Sequence, residues 1–159
     1  LAEKAGIETN NGIVVNEFCV SSDSNVFSAG DCTLHPSAFY KRDIRLESVH
    51  NAIEQGKTVA SSIMGEFVPY NQIPWFWSDQ YDLKFQIAGL NNDYDEYIVR
   101  GRPEDNSFSV FYFKDGFMIS SDCVNSAPEH MMSRRIIFNR AEVDLEKLQN
   151  KKISIKEVI

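Results

Sequence analysis

The segment Phe108-Ser-Val-Phe-Tyr-Phe-Lys-Asp-Gly-Phe-Met-Ile-Ser-Ser-Asp122 decides the fold of the C-terminal half of this chain. Two runs of aromatic and β-branched residues flank Lys114-Asp115-Gly116, a combination typical of a tight β-hairpin. The first run, residues 108–113, carries apolar side chains on both faces, so we expect its strand to be central or covered by helices. The segment therefore predicts an antiparallel sheet packed against helices.

The residues on either side of this hairpin extend the same pattern. Residues 75–78, 83–88 and 96–100 have the composition of further strands, and residues 128–138 and 142–150 are expected to form two helices. A run of strands followed by helices is typical of an α+β domain with an antiparallel sheet.

The N-terminal part has small residues where the C-terminal part has aromatic ones. A turn at Asn11-Gly12 leads into a short strand, Ile13-Val14-Val15, and a second strand is expected at residues 26–29. Residues 47–64 are expected to form a helix because apolar residues recur there at helical spacing, namely Val49, Ala52, Ile53, Val59, Ala60 and Ile63.

The composition changes between Gly65, which ends this helix, and Pro69. We therefore divide the chain into two domains, residues 1–66 and residues 67–159. The first residues, Leu1-Ala-Glu-Lys-Ala-Gly6, resemble the last turn of a helix with a glycine C-cap, and no initiator Met precedes them. We expect the chain to be the C-terminal part of a longer protein.

Charge and cysteine content exclude several classes of protein. A formal net charge of -7 argues against a nucleic-acid-binding protein, which needs a basic surface. No apolar run is long enough to span a bilayer, and the three cysteines lack the spacing of a zinc site. We expect a cytoplasmic protein with free thiols, no metal site and no membrane association.

Two features of the N-terminal part are candidate binding elements. Asp31 follows an expected strand, where a carboxylate can accept a hydrogen bond from a ligand hydroxyl, although a Gly-Asp pair is also a common turn. The expected helix start near Val49 presents free backbone N–H groups to an anion, although Ser48 can simply cap that helix. Both alternatives stay open from these residues alone.

A third feature is the string Pro74-Trp-Phe-Trp-Ser-Asp-Gln80. Three consecutive aromatic residues cannot all face one core, because neighbouring side chains of a strand point to opposite faces. Burial on both faces is one explanation. Contact of at least one of these side chains with a partner, another layer or a ligand is the other.

Taken together, the segments Val26-Phe-Ser-Ala-Gly-Asp-Cys32, Arg45-Leu-Glu-Ser-Val-His-Asn-Ala52 and Pro74 to Gln80 resemble the FAD-dependent ferredoxin reductases of the pyridine nucleotide-disulfide oxidoreductase superfamily. The resemblance covers essentially the whole chain but only the C-terminal part of such an enzyme. It implies an α+β C-terminal domain, with an antiparallel sheet and helices, preceded by the C-terminal remnant of an α/β FAD-binding domain.

The resemblance also implies cofactor-binding roles for three residues. Asp31 would hydrogen-bond the ribityl chain of FAD, the backbone N–H of Val49 would meet the pyrimidine end of the flavin, and Trp77 would lie beside the isoalloxazine ring. No residue of this chain is assigned a catalytic role. One position departs from the family, which usually has glutamine where this chain has His50.

The implied function is electron transfer from NAD(P)H through FAD to a ferredoxin-type iron–sulfur protein. No G-x-G-x-x-G segment follows a strand in this chain, so we expect these 159 residues alone to be colourless and inactive. The alternative is a dimerisation or partner-docking module without redox activity, in which a homodimer forms through the C-terminal domain.

Overall fold

A computed structural model describes all 159 residues of the chain. They form two compact units, Leu1–Gln72 and Ile73–Ile159. None of the helices combines the length and the apolar composition that crossing a bilayer requires.

The first unit contains a small mixed sheet and one long helix. Its elements are β1 (Ile13–Val14), β2 (Thr33–Ser37), β3 (Arg42–Arg45) and α1 (Val49–Ile63). In the order β1-β2-β3, the first pair of strands is parallel and the second is antiparallel. The short strand after Asn11-Gly12 is thus confirmed. Gly6 adopts a left-handed conformation (φ 76°) at the end of one 3₁₀ turn, as a glycine C-cap does.

The prediction of a strand at residues 26–29 is wrong. This stretch is extended but makes only an isolated bridge between Val20 and Phe27. The reason lies in Asp23, whose backbone oxygen accepts from the Val26 N–H at 2.9 Å and whose carboxylate accepts from the Asn25 N–H at 2.9 Å. Because this tight turn uses the Val26 donor, no ladder begins there.

Helix α1 forms where it was expected, but its buried side is polar. Ser48 caps it, since the Ser48 Oγ accepts from the Asn51 N–H at 3.2 Å. The buried residues follow a helical spacing of four, three and four, and are Asn51, Gln55, Thr58 and Ser62. The apolar residues that predicted the helix lie largely on its exposed side, where Val49 and Ile63 are 56% and 64% exposed.

The second unit is a five-stranded antiparallel sheet with helices, as the hairpin segment predicts. Its strands run in the order β4-β5-β8-β7-β6, so the strand of residues 108–113 is internal. The elements are β4 (Trp75–Gln80), β5 (Leu83–Gly89), β6 (Glu96–Arg102), β7 (Ser107–Lys114), β8 (Phe117–Val124), α2 (Ala127–Asn139) and α3 (Leu145–Gln149). The α+β class is confirmed.

Helix α3 is shorter than the expected helix over residues 142–150. Asp144 caps it through its carboxylate, which accepts from the Lys147 N–H at 3.1 Å. The backbone N–H of Asp144 donates to the Val158 carbonyl at 2.8 Å. Pairing with the C-terminal residues therefore holds Asp144 in an extended conformation, and the helix begins only after it.

The two faces of the sheet are covered differently. Helix α2 packs against β8 and β5 on the face that carries Ala88, Phe111 and Cys123, each with no solvent exposure. The opposite face carries the cross-strand row Phe76, Ile87, Asp122, Val110 and Val99, of which the first four are half-buried and Val99 is 38% exposed.

The buried Arg100 side chain links residues 148–153 to the sheet. The Arg100 side chain, 3% exposed, donates from Nη1 to the carbonyls of Leu148 and Asn150 at 2.9 Å each and from Nη2 to the Ile153 carbonyl at 2.6 Å. Its Nε lies 3.3 Å from Oε1 of Glu129 on α2. A single guanidinium thus satisfies three carbonyls and one carboxylate.

We expect Arg100→Met to lower the free energy of unfolding by about 3–5 kcal/mol, because it leaves the Glu129 charge and the carbonyls without their partner. Urea denaturation followed by tryptophan fluorescence measures the loss. The matched control is Arg102→Met on the same strand, whose side chain is 72% exposed and pairs with Glu104 at 3.7 Å. Its expected change is under about 0.5 kcal/mol, and equal losses in both variants would contradict the anchoring role of Arg100.

Candidate functional site

The turn at Gly30–Cys32 packs closely against α1. Gly30 has a φ of 80°, and a Cβ on it would approach Ala52 Cβ to 3.3 Å. Its backbone N–H donates to Oε1 of Gln55 at 2.7 Å. A positive φ and a close helix both favour glycine at this position.

Asp31 presents a free carboxylate at this turn. Its backbone carbonyl accepts from Arg45 Nη1 at 2.9 Å, and Arg45 Nη2 also pairs with Glu47 at 2.7 Å. The Asp31 side chain is exposed, and its oxygens accept no hydrogen bond within the chain. The carboxylate is therefore free to accept a hydrogen bond from a ligand.

Val49 is the first residue of α1, where a backbone N–H has no acceptor within the helix. Because Gly30 lies against Ala52, the Asp31 turn and the open end of α1 are neighbours. The structure thus brings together an acceptor, Asp31, and a donor, the Val49 N–H. Ser48 does cap the helix, which leaves the Val49 donor unused.

A chain of buried hydrogen bonds supports the turn from behind. The Tyr70 hydroxyl donates to Oδ1 of Asn51 at 2.8 Å, and Nδ2 of Asn51 donates to Oε1 of Gln55 at 3.3 Å and to the Leu46 carbonyl at 3.2 Å. Asn51 and Gln55 have no solvent exposure, and burial raises the pKa of Tyr70 well above its usual value.

This arrangement fixes the tautomer of His35, which is 2% exposed on β2. Because Oε1 of Gln55 accepts from Gly30, the Gln55 Nε2 faces His35 Nδ1 at 2.9 Å and must donate to it. The proton of the neutral ring therefore lies on Nε2. Burial lowers the pKa of His35 to about 4, against a smaller opposing effect of Asp43.

Trp77 belongs to the second unit, on β4. It shares a face with Trp75, with ring centroids 5.2 Å apart, while Phe76 points to the opposite face, as period-two geometry predicts. Trp77 is 46% exposed. The guanidinium of Arg134 lies 4.7 Å from the Trp75 ring, so Trp75 is held between its neighbour and a cation.

His130 also packs against Trp75, with ring centroids 5.7 Å apart. It is 2% exposed, and burial together with Arg134 lowers its pKa to about 4. His35 and His130 are both buried packing residues. The three cysteines are unpaired: Cys19 and Cys123 are buried, which raises the pKa of each thiol to about 11, and Cys32 is exposed.

Sequence reasoning missed the residues behind the Asp31 turn, namely His35, Asn51, Gln55 and Tyr70. A signal was present, because polar residues recur at helical spacing along α1 beside the apolar ones. Only the apolar set was used to predict the helix.

The comparisons with known proteins agree with this architecture. Residues 75–159 match the family model described as Reductase C-terminal, and residues 1–56 match Pyridine nucleotide-disulphide oxidoreductase. The chain belongs to the Reductase C-terminal family.

The similar proteins are ferredoxin reductases, which confirms the resemblance. The chain is 39% identical to the 5,5'-dehydrodivanillate O-demethylase ferredoxin reductase subunit of a Sphingobium species, over 97% of this chain and 38% of that protein. It is 39% identical to putidaredoxin reductase of Pseudomonas putida, over 100% of this chain and 38% of that protein. It thus spans less than half the length of these curated relatives.

Solved structures of ferredoxin reductases have the same backbone fold as this chain. The covalent putidaredoxin reductase–putidaredoxin complex matches with a TM-score of 0.93 and 40% identity, over 99% of this chain and 38% of that one. A ferredoxin reductase from Rhodopseudomonas palustris matches with a TM-score of 0.92 and 37% identity, over 98% of this chain and 39% of that one.

We expect the ¹⁵N spectrum of the His35 ring to show the Nε2-protonated tautomer at pH 7 and to keep it down to about pH 4. The unfolded chain binds this proton near pH 6.5, so the contribution of His35 to stability is complete above that pH and is lost as the pH falls toward 4. Titration in urea is the control. An Nδ1-bound proton, or a folded-state midpoint near 6.5, would contradict the arrangement.

Proposed function

We propose that this chain is the C-terminal part of a cytoplasmic flavoprotein that passes electrons from NAD(P)H through FAD to a ferredoxin-type iron–sulfur protein. One observation carries the proposal: the Asp31 carboxylate, unpaired within the chain, adjoins the open first turn of α1. The relatives support it, because their names describe ferredoxin and putidaredoxin reductases.

The residues at this place fit a flavin in their chemistry. The ribityl chain carries hydroxyl donors, which suit the acceptor oxygens of Asp31, and the pyrimidine end carries carbonyl acceptors, which suit the Val49 N–H. The tight packing of Gly30 on Ala52 keeps the turn close to the helix end. When bound, FAD supplies the conversion of a two-electron hydride into single electrons.

The first turn of α1 has a second effect at such a site. A helix N-terminus carries a partial positive charge, which stabilises negative charge on the pyrimidine end of a reduced flavin. A contribution of about 1 kcal/mol raises a two-electron potential by about 20 mV. The helix therefore tunes the potential and does not by itself create the chemistry.

The two parts of the chain have distinct proposed roles. Residues 1–66 complete an FAD-binding domain, and residues 67–159 form the C-terminal domain that supplies Trp77 at the flavin edge. The half-exposed Trp77 ring is suited to exclude water from a reduced flavin and to shorten the path to an iron–sulfur partner. The binding of pyrophosphate and nicotinamide is assigned to other parts of the whole reductase, since these 159 residues contain no glycine-rich phosphate loop.

In the full-length reductase, Asp31→Ala is expected to weaken FAD binding by about one to two decades, since a hydrogen bond to a charged acceptor contributes roughly 1.5–3 kcal/mol. Quenching of flavin fluorescence by the apoprotein measures the dissociation constant. Asp82→Ala, which removes another exposed carboxylate, from the β4–β5 turn, is the control. A loss of stability with unchanged FAD affinity would make Asp31 a turn residue only.

Replacement of Trp77 by Ala is expected to slow reduction of the iron–sulfur partner several-fold while the rate of flavin bleaching by NAD(P)H stays near that of the parent. Stopped-flow absorbance separates the two half-reactions. Trp77→Phe keeps an aromatic ring and should give an intermediate rate. If both half-reactions were unaffected and only the melting temperature fell, Trp77 would have a packing role alone.

A homodimer through the C-terminal domain is the second candidate. The half-buried side chains of Phe76, Ile87 and Val110 on the sheet face opposite α2 favour it, because a second copy would cover them. Asp122 lies between Ile87 and Val110, and its carboxylate accepts a hydrogen bond from Tyr112 at 2.8 Å. Sedimentation velocity of the full-length reductase tests the idea, and a monomer at micromolar concentration would rule it out.

A further inference from the structure

We propose that Gln55 is a positioning residue for the flavin site: its carboxamide holds the Gly30 N–H and thereby fixes the backbone from which the Asp31 side chain projects. This inference rests on the proposed function, because it assigns Gln55 a role in the binding of FAD by Asp31. Gln55 itself is fully buried and reaches the site only through the backbone.

The backbone around Asp31 is held on both sides. Before it, the Gly30 N–H donates to Oε1 of Gln55 at 2.7 Å. After the Asp31 Cα, the Asp31 carbonyl accepts from Arg45 at 2.9 Å. With the preceding residue and the following carbonyl fixed, the Cα–Cβ bond of Asp31 has one direction, and only the carboxylate remains free.

The Gln55 carboxamide has no alternative orientation. Its Oε1 accepts from Gly30 and from Asn51, and its Nε2 donates to His35 Nδ1. A flipped amide would direct its NH₂ group at two donors and its oxygen at the lone pair of His35. Asn51 is in turn oriented by the Leu46 carbonyl, which can only accept and takes Nδ2 of Asn51 at 3.2 Å. Its Oδ1 therefore faces Tyr70, and the polarity of the whole chain of hydrogen bonds is defined.

A preorganised binding site needs a backbone with one fixed conformation, which these hydrogen bonds give to the Asp31 turn. A binding group held in its productive direction loses little conformational freedom when the ligand arrives, whereas a mobile turn must be ordered at the expense of affinity. A purely structural role would instead affect the stability of the fold and leave the affinity for FAD unchanged.

The test uses the full-length reductase with Gln55→Met, which keeps the length of the side chain but removes the acceptor for Gly30. We expect the FAD dissociation constant to rise about tenfold, the effect of one hydrogen bond, and the visible circular dichroism of bound flavin to change. Gln55→Glu restores an acceptor, and His35 can donate to its second oxygen, so affinity should return to within about threefold of the parent.

The matched control is Ser62→Ala, on the same buried side of α1. It removes the hydrogen bond from Ser62 Oγ to the Phe18 carbonyl, 2.9 Å long and away from the Asp31 turn. We expect it to lower the melting temperature of the apoprotein and to leave the FAD dissociation constant unchanged. If Gln55→Met and Ser62→Ala both lost FAD affinity, each in proportion to the fall in its melting temperature, the positioning role would be overturned.

Asp31→Ala in the same assay separates the two proposals. If it weakens FAD binding while a folded Gln55→Met does not, the positioning role falls and the proposed function stands. If Asp31→Ala has no effect, the proposed flavin contact itself fails. Should Gln55→Met not fold, Tyr70→Phe replaces it. Loss of the hydroxyl that donates to Asn51 Oδ1 removes one hydrogen bond from the chain that holds Gln55 and should weaken FAD binding about twofold to threefold. Unchanged affinity would overturn the proposal.

Discussion

The need to satisfy polar groups that have lost contact with water governs both units of this structure. In the first unit, helix α1 turns two carboxamides inward, and each amide atom finds a partner on β2, on the Asp31 turn, on Tyr70 or at the Leu46 carbonyl. In the second unit, Arg100 meets the same requirement with three carbonyls and Glu129. Directional contacts of this kind fix positions that apolar packing alone would leave adjustable.

The candidate site differs from its support in one respect. Behind the turn, the carboxamides of Asn51 and Gln55 are hydrogen-bonded and buried. In front of it, the Asp31 carboxylate and the Val49 N–H are unpaired within the chain. Two fixed carboxamides beneath an unpaired acceptor and an unpaired donor are a suitable arrangement for ligand recognition. The same division explains how a residue that never touches the ligand can influence its binding.

The sequence predicted those parts of the fold that depend on local periodicity. Alternation and the Lys114-Asp115-Gly116 turn located the sheet, and α1 followed from its apolar spacing. The errors arose where a specific side-chain contact decides the outcome: the turn at Asp23 removed a strand, and the pairing of Asp144 with Val158 shortened α3. Asp31 and Val49 were predicted from a resemblance, but the residues behind them were not, because tertiary hydrogen bonds leave no apolar pattern.

The polar inner side of α1 also determines how the helix is rotated about its own axis. Most helices are oriented by an apolar stripe, which tolerates a rotation of some tens of degrees because apolar contacts have no direction. Here an axial rotation would separate Gln55 from both Gly30 and His35 at once. A redesign that replaced the buried polar residues of α1 with leucine would give the helix a conventional apolar contact. The helix could then rotate about its axis, and the N–H groups at its first turn would no longer have a defined direction.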